Sequence, residues 1–252
     1  MVNQNRAGTR SRPYRFGRSK VIAVAWVLLS ALCAGHPAHA VTDAAIIDGF
    51  QKTVFGSEYA RRQTAYVRKF VGPVRFYVRS RVGRAPVARV HQFISQLDGL
   101  ISNLNPRLMP SVRFANFTVH LVNRAQYKDT VRRIVLRNPN APVRGRCMVR
   151  SIFSRMGITR SDAVVVVDEG AALFERCMHE EILQGLGPLN DDPSLADSMF
   201  NDRSRHTEFR RFDRLILNVL YDPRIRVGAS PQEVARVLPR VVRDVRRRIE
   251  GR

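Results

Sequence analysis

Apolar residues recur along this chain in two periods, and the alternation between them predicts a layered α/β fold. From residue 43 to 70 the stripe Ile46, Phe50, Val54 and Tyr59 follows helical spacing. Pro73 then opens a short strand, Val74 to Val78. Between Pro86 and Ile101 the helical period returns, carried by Val87, Val90, Phe93, Ile94, Leu97 and Ile101. Phe117 to Val122 alternates as a half-buried strand. Gln126 to Leu136 reads as a helix, stopped by the turn Asn138-Pro139-Asn140. Ala163 to Val167 is the most apolar strand, and β-branched residues at successive positions imply cover on both faces. Past Glu169-Gly170 a helix runs from about Leu173 to Leu186. Helices and strands in this alternating order imply an α/β layer with at least three strands.

The last third predicts helices only. Phe212, Leu215, Ile216, Val219 and Leu220 form one stripe before Asp222-Pro223 ends it. Ser230, Pro231 and Glu233 announce the final helix as N-cap, first helical residue and capping-box partner. Its apolar stripe is Val234, Val237, Leu238, Val241, Val245 and Ile249. Arg236, Arg240, Arg243 and Arg246 to Arg248 lie largely on other faces. Such a helix would dock on the domain or rest on an anionic membrane surface.

The N-terminus adds a targeting signal. Six positive charges and no acid, from Arg6 to Lys20, precede the apolar run Val21 to Cys33. That run is short for a bilayer, which needs roughly 20 apolar residues. Ala38-His39-Ala40 then supplies small residues where a signal peptidase reads. Cleavage after Ala40 and a periplasmic or secreted location are expected, with a retained N-terminal anchor as the alternative. Leu32 stands before Cys33 where a lipoprotein would have a small residue. The expected partition is a signal over 1–40, a domain over 41–225 and a basic C-terminal helix over 226–252. The rest of the chain has no second long apolar segment, so the processed chain is not expected to be integral to a membrane.

Charge and cysteines narrow the partners. The chain carries 43 basic and 21 acidic residues, for a net charge of +22. With six basic residues ahead of the cleavage point, the processed chain keeps +16, almost all of it arginine. A solvated arginine coat is the plain reading; contact with an anionic surface is the functional one. Export and the spread of the basic residues argue against nucleic acid. Past residue 40 the cysteines are Cys147 and Cys177. Outside the cytoplasm such a pair is expected to be oxidised, two buried thiols being the alternative.

Candidate chemistry concentrates between residues 175 and 202. His179-Glu180 suggests a zinc helix, but His-Glu-x-x-His needs a histidine at 183, where Leu183 stands. One residue on, Glu180-Glu181-Ile182-Leu183-Gln184-Gly185-Leu186-Gly187 keeps the spacing of a metallopeptidase helix extended to its glycine. Glu180 and Gln184 would then lie one turn apart on one side. Glu181 would take the general-base place, and Gly187 would let the chain turn sharply. Asn190 or Asp191 would arrive where a third ligand comes from. Against this, paired glutamates on a helix commonly face solvent, Gln184 suits a structural hydrogen bond, and Asn201-Asp202 suits an Asx-type turn. His179 sits off the ligand face, with surface or supporting duty. No Gly-rich phosphate loop and no Gly-x-Ser-x-Gly elbow is present.

The string Cys177 to Gly187, with Asn190-Asp191-Asp192, Ser198-Met199-Phe200-Asn201-Asp202 and Leu220-Tyr221-Asp222-Pro223, resembles the DUF2927 family of exported bacterial proteins. In the order of these pieces it is also similar to zincin-like, especially metzincin-like, peptidases. The resemblance implies a single α/β domain of zincin-like type with a small mixed sheet, an active-site-like helix and a helical C-terminal part. Met199 would match the methionine turn beneath a metal, and the helix ending at Tyr221 a closing helix. Glu180, Gln184 and Asp191 would be oxygen ligands for calcium, manganese or a poorly held zinc. Glu181 would be the base. A carboxylate and an amide in place of two imidazoles favour a non-catalytic binding or structural role in the envelope, toward a peptide or envelope protein. Metal-dependent peptide hydrolysis is the alternative.

Overall fold

The computed structural model describes residues 41–56 and 66–251. Residues 1–40, where a signal is expected, and Tyr59 lie outside the described residues. Helix α1, Asp43–Phe55, starts at Thr42, whose hydroxyl accepts from the Ala45 N–H. It stops short of residue 70 because Gly56 leaves the helix in an extended conformation. Further on, Val67 and Lys69 take part in backbone hydrogen bonds with Gly228, Ala229 and Ile158. Residues that helical spacing alone would place in α1 are therefore bound to distant parts of the chain.

Five strands form one mixed sheet in the order β2-β1-β3-β5-β4. Strands β1 (Val74–Ser80), β2 (Pro106–Leu108), β3 (Phe117–Val122) and β5 (Gly157–Val166) run parallel. β4 (Cys147–Ser154) runs antiparallel to β5 at one edge. The three strands expected from the pattern are present, and β2 and β4 are additional. β4 escapes pattern reading because it is an edge strand whose apolar positions are only partly covered; Ile152 is exposed.

Helices cover both sheet faces. Helix α2 (Arg84–Leu100) connects β1 to β2, and α4 (Ala171–Gln184) follows β5. The two meet through Phe93 against His179, with ring centroids 4.3 Å apart, and through a two-pronged Arg89–Glu175 ion pair. Beneath them Phe76, Phe117, Val119, Ala163 and Val165 form the main core with Met178, Ile182 and Leu183. On the other face α3 (Arg124–Thr130) and a π-helical continuation, Val131–Leu136, bury Val122, Val164 and Val166 against Tyr127, Val131 and Val135. This second layer makes β3 fully buried rather than half-buried, Thr118 and His120 included.

The last two helices, α5 (Arg211–Leu220) and α6 (Pro231–Glu250), pack with α1. The α6 capping box is formed: Glu233 accepts from the Ser230 N–H at 2.7 Å, and the Ser230 hydroxyl accepts from the Glu233 N–H. Val234, Leu238, Val241 and Val245 are buried, so the apolar stripe docks on the protein's own core. Among the described residues no helix is long and apolar enough to cross a membrane.

Candidate functional site

Helix α4 carries the site because its last two turns are buried on every side. Ile182 and Leu183 reach the core, while Glu180, Glu181 and Gln184 are buried and line an open cavity of about 750 Å³. The cavity's other wall is edge strand β4, through Cys147, Met148 and Val149, with Arg144 and Arg146 just before it. A disulfide between Cys147 and Cys177 joins strand to helix across this wall, Cα atoms 5.7 Å apart.

The end of α4 is set by two glycines. A Cβ on Gly185 would lie 2.4 Å from the Phe117 ring, so helix and sheet approach more closely than any side chain would allow. The Gly185 carbonyl accepts from the Ser161 hydroxyl at 2.8 Å. Gly187 then turns with φ +146°, and the Tyr221 hydroxyl donates to the Leu186 carbonyl at 2.8 Å. The exit of α4 is thus tied to the end of α5.

The turn returns Asp191 to the cavity, where it accepts from the Gln184 amide nitrogen at 2.7 Å. Asn190 instead donates to the Lys52 carbonyl at the end of α1. Glu180, Asp191 and Asp202 each offer one oxygen atom, and the three oxygens lie within 4.8 Å of one another. Glu180 and Asp191 meet as the spacing expects. Asp202 takes the third place, and Gln184 makes a supporting hydrogen bond beside them. Asp202 was legible only as part of a polar cluster, because an irregular loop rather than a helical period brings it back.

Charge in the cavity is mixed. Arg176 pairs with Glu180 at 3.1 Å and also donates to the Asn201 carbonyl. Glu181 lines the same cavity; together with burial, the larger cause, its charge raises the Tyr127 phenol above its ordinary pKa. The Tyr127 hydroxyl donates to the Cys147 carbonyl at 2.9 Å, holding the start of β4. An all-oxygen carboxylate group fits a hard divalent cation such as calcium or manganese. It suits zinc less well, since zinc is held more tightly where imidazole or thiolate donors take part, and none is in this trio.

Two residues support the site from behind, His179 in the second of the two roles its sequence reading left open and Met199 in the core. His179 is buried, with Nδ1 2.7 Å from the Thr207 carbonyl oxygen, and burial foremost lowers its pKa. It anchors the 201–210 loop instead of facing solvent. Met199 is a core residue as expected, and its N–H donates to the buried Asp213 carboxylate, which also accepts from the Ser198 hydroxyl at 2.6 Å.

Residues 43–240 match the sequence profile of the DUF2927 family, described as proteins of unknown function. The chain belongs to that family. No curated protein and no solved structure matches it.

Proposed function

We propose that the chain is an exported envelope protein that binds an extended peptide in the cavity between β4 and α4. The carrying observation is that the outer edge of an antiparallel edge strand runs along a cavity floored by carboxylates. No strand pairs with that edge among the described residues. An extended segment can add to such an edge through backbone hydrogen bonds, with side-chain pockets selecting the sequence. Glu180, Asp191 and Asp202 form an acidic island in a strongly basic protein, suited to a lysine or arginine side chain. A zincin-like ancestry is consistent with the mixed sheet, the helix and the buried Met199, with the metal-binding imidazoles replaced.

Fluorescence anisotropy with labelled octapeptides of alternating Lys-Val or Glu-Val tests this proposal. The Lys peptide should bind at least tenfold more tightly, and Asp202→Asn, at an exposed position, should remove most of that preference. Equal affinity for both peptides, or none for either, refutes peptide capture by this cavity.

A second reading, metal-assisted peptide hydrolysis, is favoured by the mutual approach of the three oxygens. Glu180, Asp191 and Asp202 would hold the cation, Gln184 would orient Asp191, and Glu181 would take a proton from water. A bound divalent cation would supply Lewis acidity. Metal content by plasma mass spectrometry, after loading with calcium, manganese and zinc, separates the two. About one equivalent, lost in Glu180→Ala and Asp202→Asn, supports hydrolysis; metal no higher than background rejects it and leaves peptide binding.

A further inference from the structure

A second cavity, of about 60 Å³, lies on the opposite sheet face at the carboxyl ends of β1 and β3. The chain leaves β1 through α2 toward β2 on one side, and leaves β3 through α3 toward β5 on the other. Neighbouring strands whose connections diverge in this way open a crevice at their carboxyl ends, where open α/β sheets bind ligands. Arg79 and Arg81 from the β1 end, His120 from β3, and Thr130 and Arg133 from the facing helical segment line it. Part of that segment is π-helical, a rare conformation that recurs at functional sites.

Arg79 and His120 are directly opposite in the β1–β3 register. Neither Arg79 nor Arg81 forms an ion pair among the described residues, while Arg133 pairs with Asp129 along its own helix. The His120 side chain is only 4% exposed, and its Nε2 lies 3.0 Å from Asp162. Arg160 donates to the same carboxylate at 2.6 and 2.9 Å. Although burial opposes it, these hydrogen bonds hold the Asp162 carboxyl below its usual range, so it is ionised and accepts only. His120 Nε2 therefore carries a proton, and in the neutral ring Nδ1 is left as an acceptor. Buried Nδ1 has no hydrogen-bond partner. Leaving a buried polar atom unmatched is unfavourable, and a ligand donating to it would relieve that cost.

We propose that this crevice binds inorganic phosphate in its hydrogen-bearing form. The arginines meet the charged oxygens, and the phosphate hydroxyl donates to His120 Nδ1. One water needs roughly 10–15 Å³ of such space, so 60 Å³ takes a group of a few heavy atoms. Sulfate, of similar shape and charge, has no hydroxyl to donate at neutral pH and leaves Nδ1 unmatched.

Isothermal titration of the protein with inorganic phosphate and with sulfate, at pH 8 and matched ionic strength, tests the assignment. Phosphate should bind at least tenfold more tightly than sulfate. Arg79→Ala, an exposed change that spares the core, should weaken phosphate at least tenfold. His120→Phe should bring phosphate down to the sulfate level; the Arg79 arm stands if that variant fails to fold. Equal affinity for both anions, phosphate binding indifferent to Arg79→Ala, or no binding at all would overturn the proposal, leaving only diffuse attraction to the arginine coat.

Discussion

At the exit of α4 a Cβ on Gly187 would sit 2.4 Å from the Arg68 carbonyl oxygen, at a φ that side-chain-bearing residues rarely adopt. Gly187→Ala should therefore cost at least about 1–3 kcal/mol, read as a lower urea midpoint; an unchanged midpoint would contradict the close approach. Nearby, burial foremost pushes the Asp213 carboxyl up to about 7, against the hydrogen bonds from Ser198 and Met199. An unfolded carboxyl titrates near 3.9. The folded state thus holds the extra proton between about pH 4 and 7, and this group's contribution to stability falls as pH rises through that window. His179, with a lowered folded pKa, acts the opposite way below about pH 6.5. The difference between wild type and Asp213→Asn isolates the carboxyl. The variant should gain on wild type by on the order of 3 kcal/mol from pH 4 to 7, measured by urea unfolding; parallel pH profiles would show that Asp213 is ionised throughout.

At the scale of elements, the site depends on a strand and a helix held together by a covalent bond. Cys147 and Cys177 are 30 residues apart in sequence, and closing a loop of that length stabilises by about 3–4 kcal/mol in the chain-entropy account. The double variant Cys147→Ser/Cys177→Ser should lose an amount of that order in chemical denaturation and bind the Lys-Val peptide more weakly. Full retention of both properties would mean that the Tyr127 hydrogen bond and the β4–β5 pairing suffice. Helices α2, α4, α5 and α6 were legible because their apolar residues recur at helical spacing, and α2 and α6 each bury one stripe. β4 was not, since an edge strand's partner is chosen by pairing with β5 rather than by its own alternation. The helix after β3 was legible as a helix, but its π-helical second half was not.

Over the whole molecule the charge is distinctly one-sided, and the acidic trio of the β4–α4 cavity is a local exception to it. The basic, apolar and small-residue segments at the N-terminus predict that protein recovered from the cell envelope or medium begins at Val41. N-terminal sequencing checks this, and material beginning at Met1 would count against processing there. The expected pairing of Cys147 with Cys177 is present in the structure.

Local rules were enough for the helix periods, the α6 capping box, the positions of the three core strands and the turn at Gly187, because each is set by neighbours within a few residues. Family membership was legible from the Cys177–Gly187 string and the short motifs after it, and the profile match bears it out. Which carboxylates meet was decided only in three dimensions. Glu180, Asp191 and Asp202 converge because the turn after Gly187 and the loop anchored by His179 and Asp213 return the chain to α4. The His120–Asp162 pair likewise exists because β3 and β5 are neighbours in the sheet, an outcome that no spacing along the chain encodes.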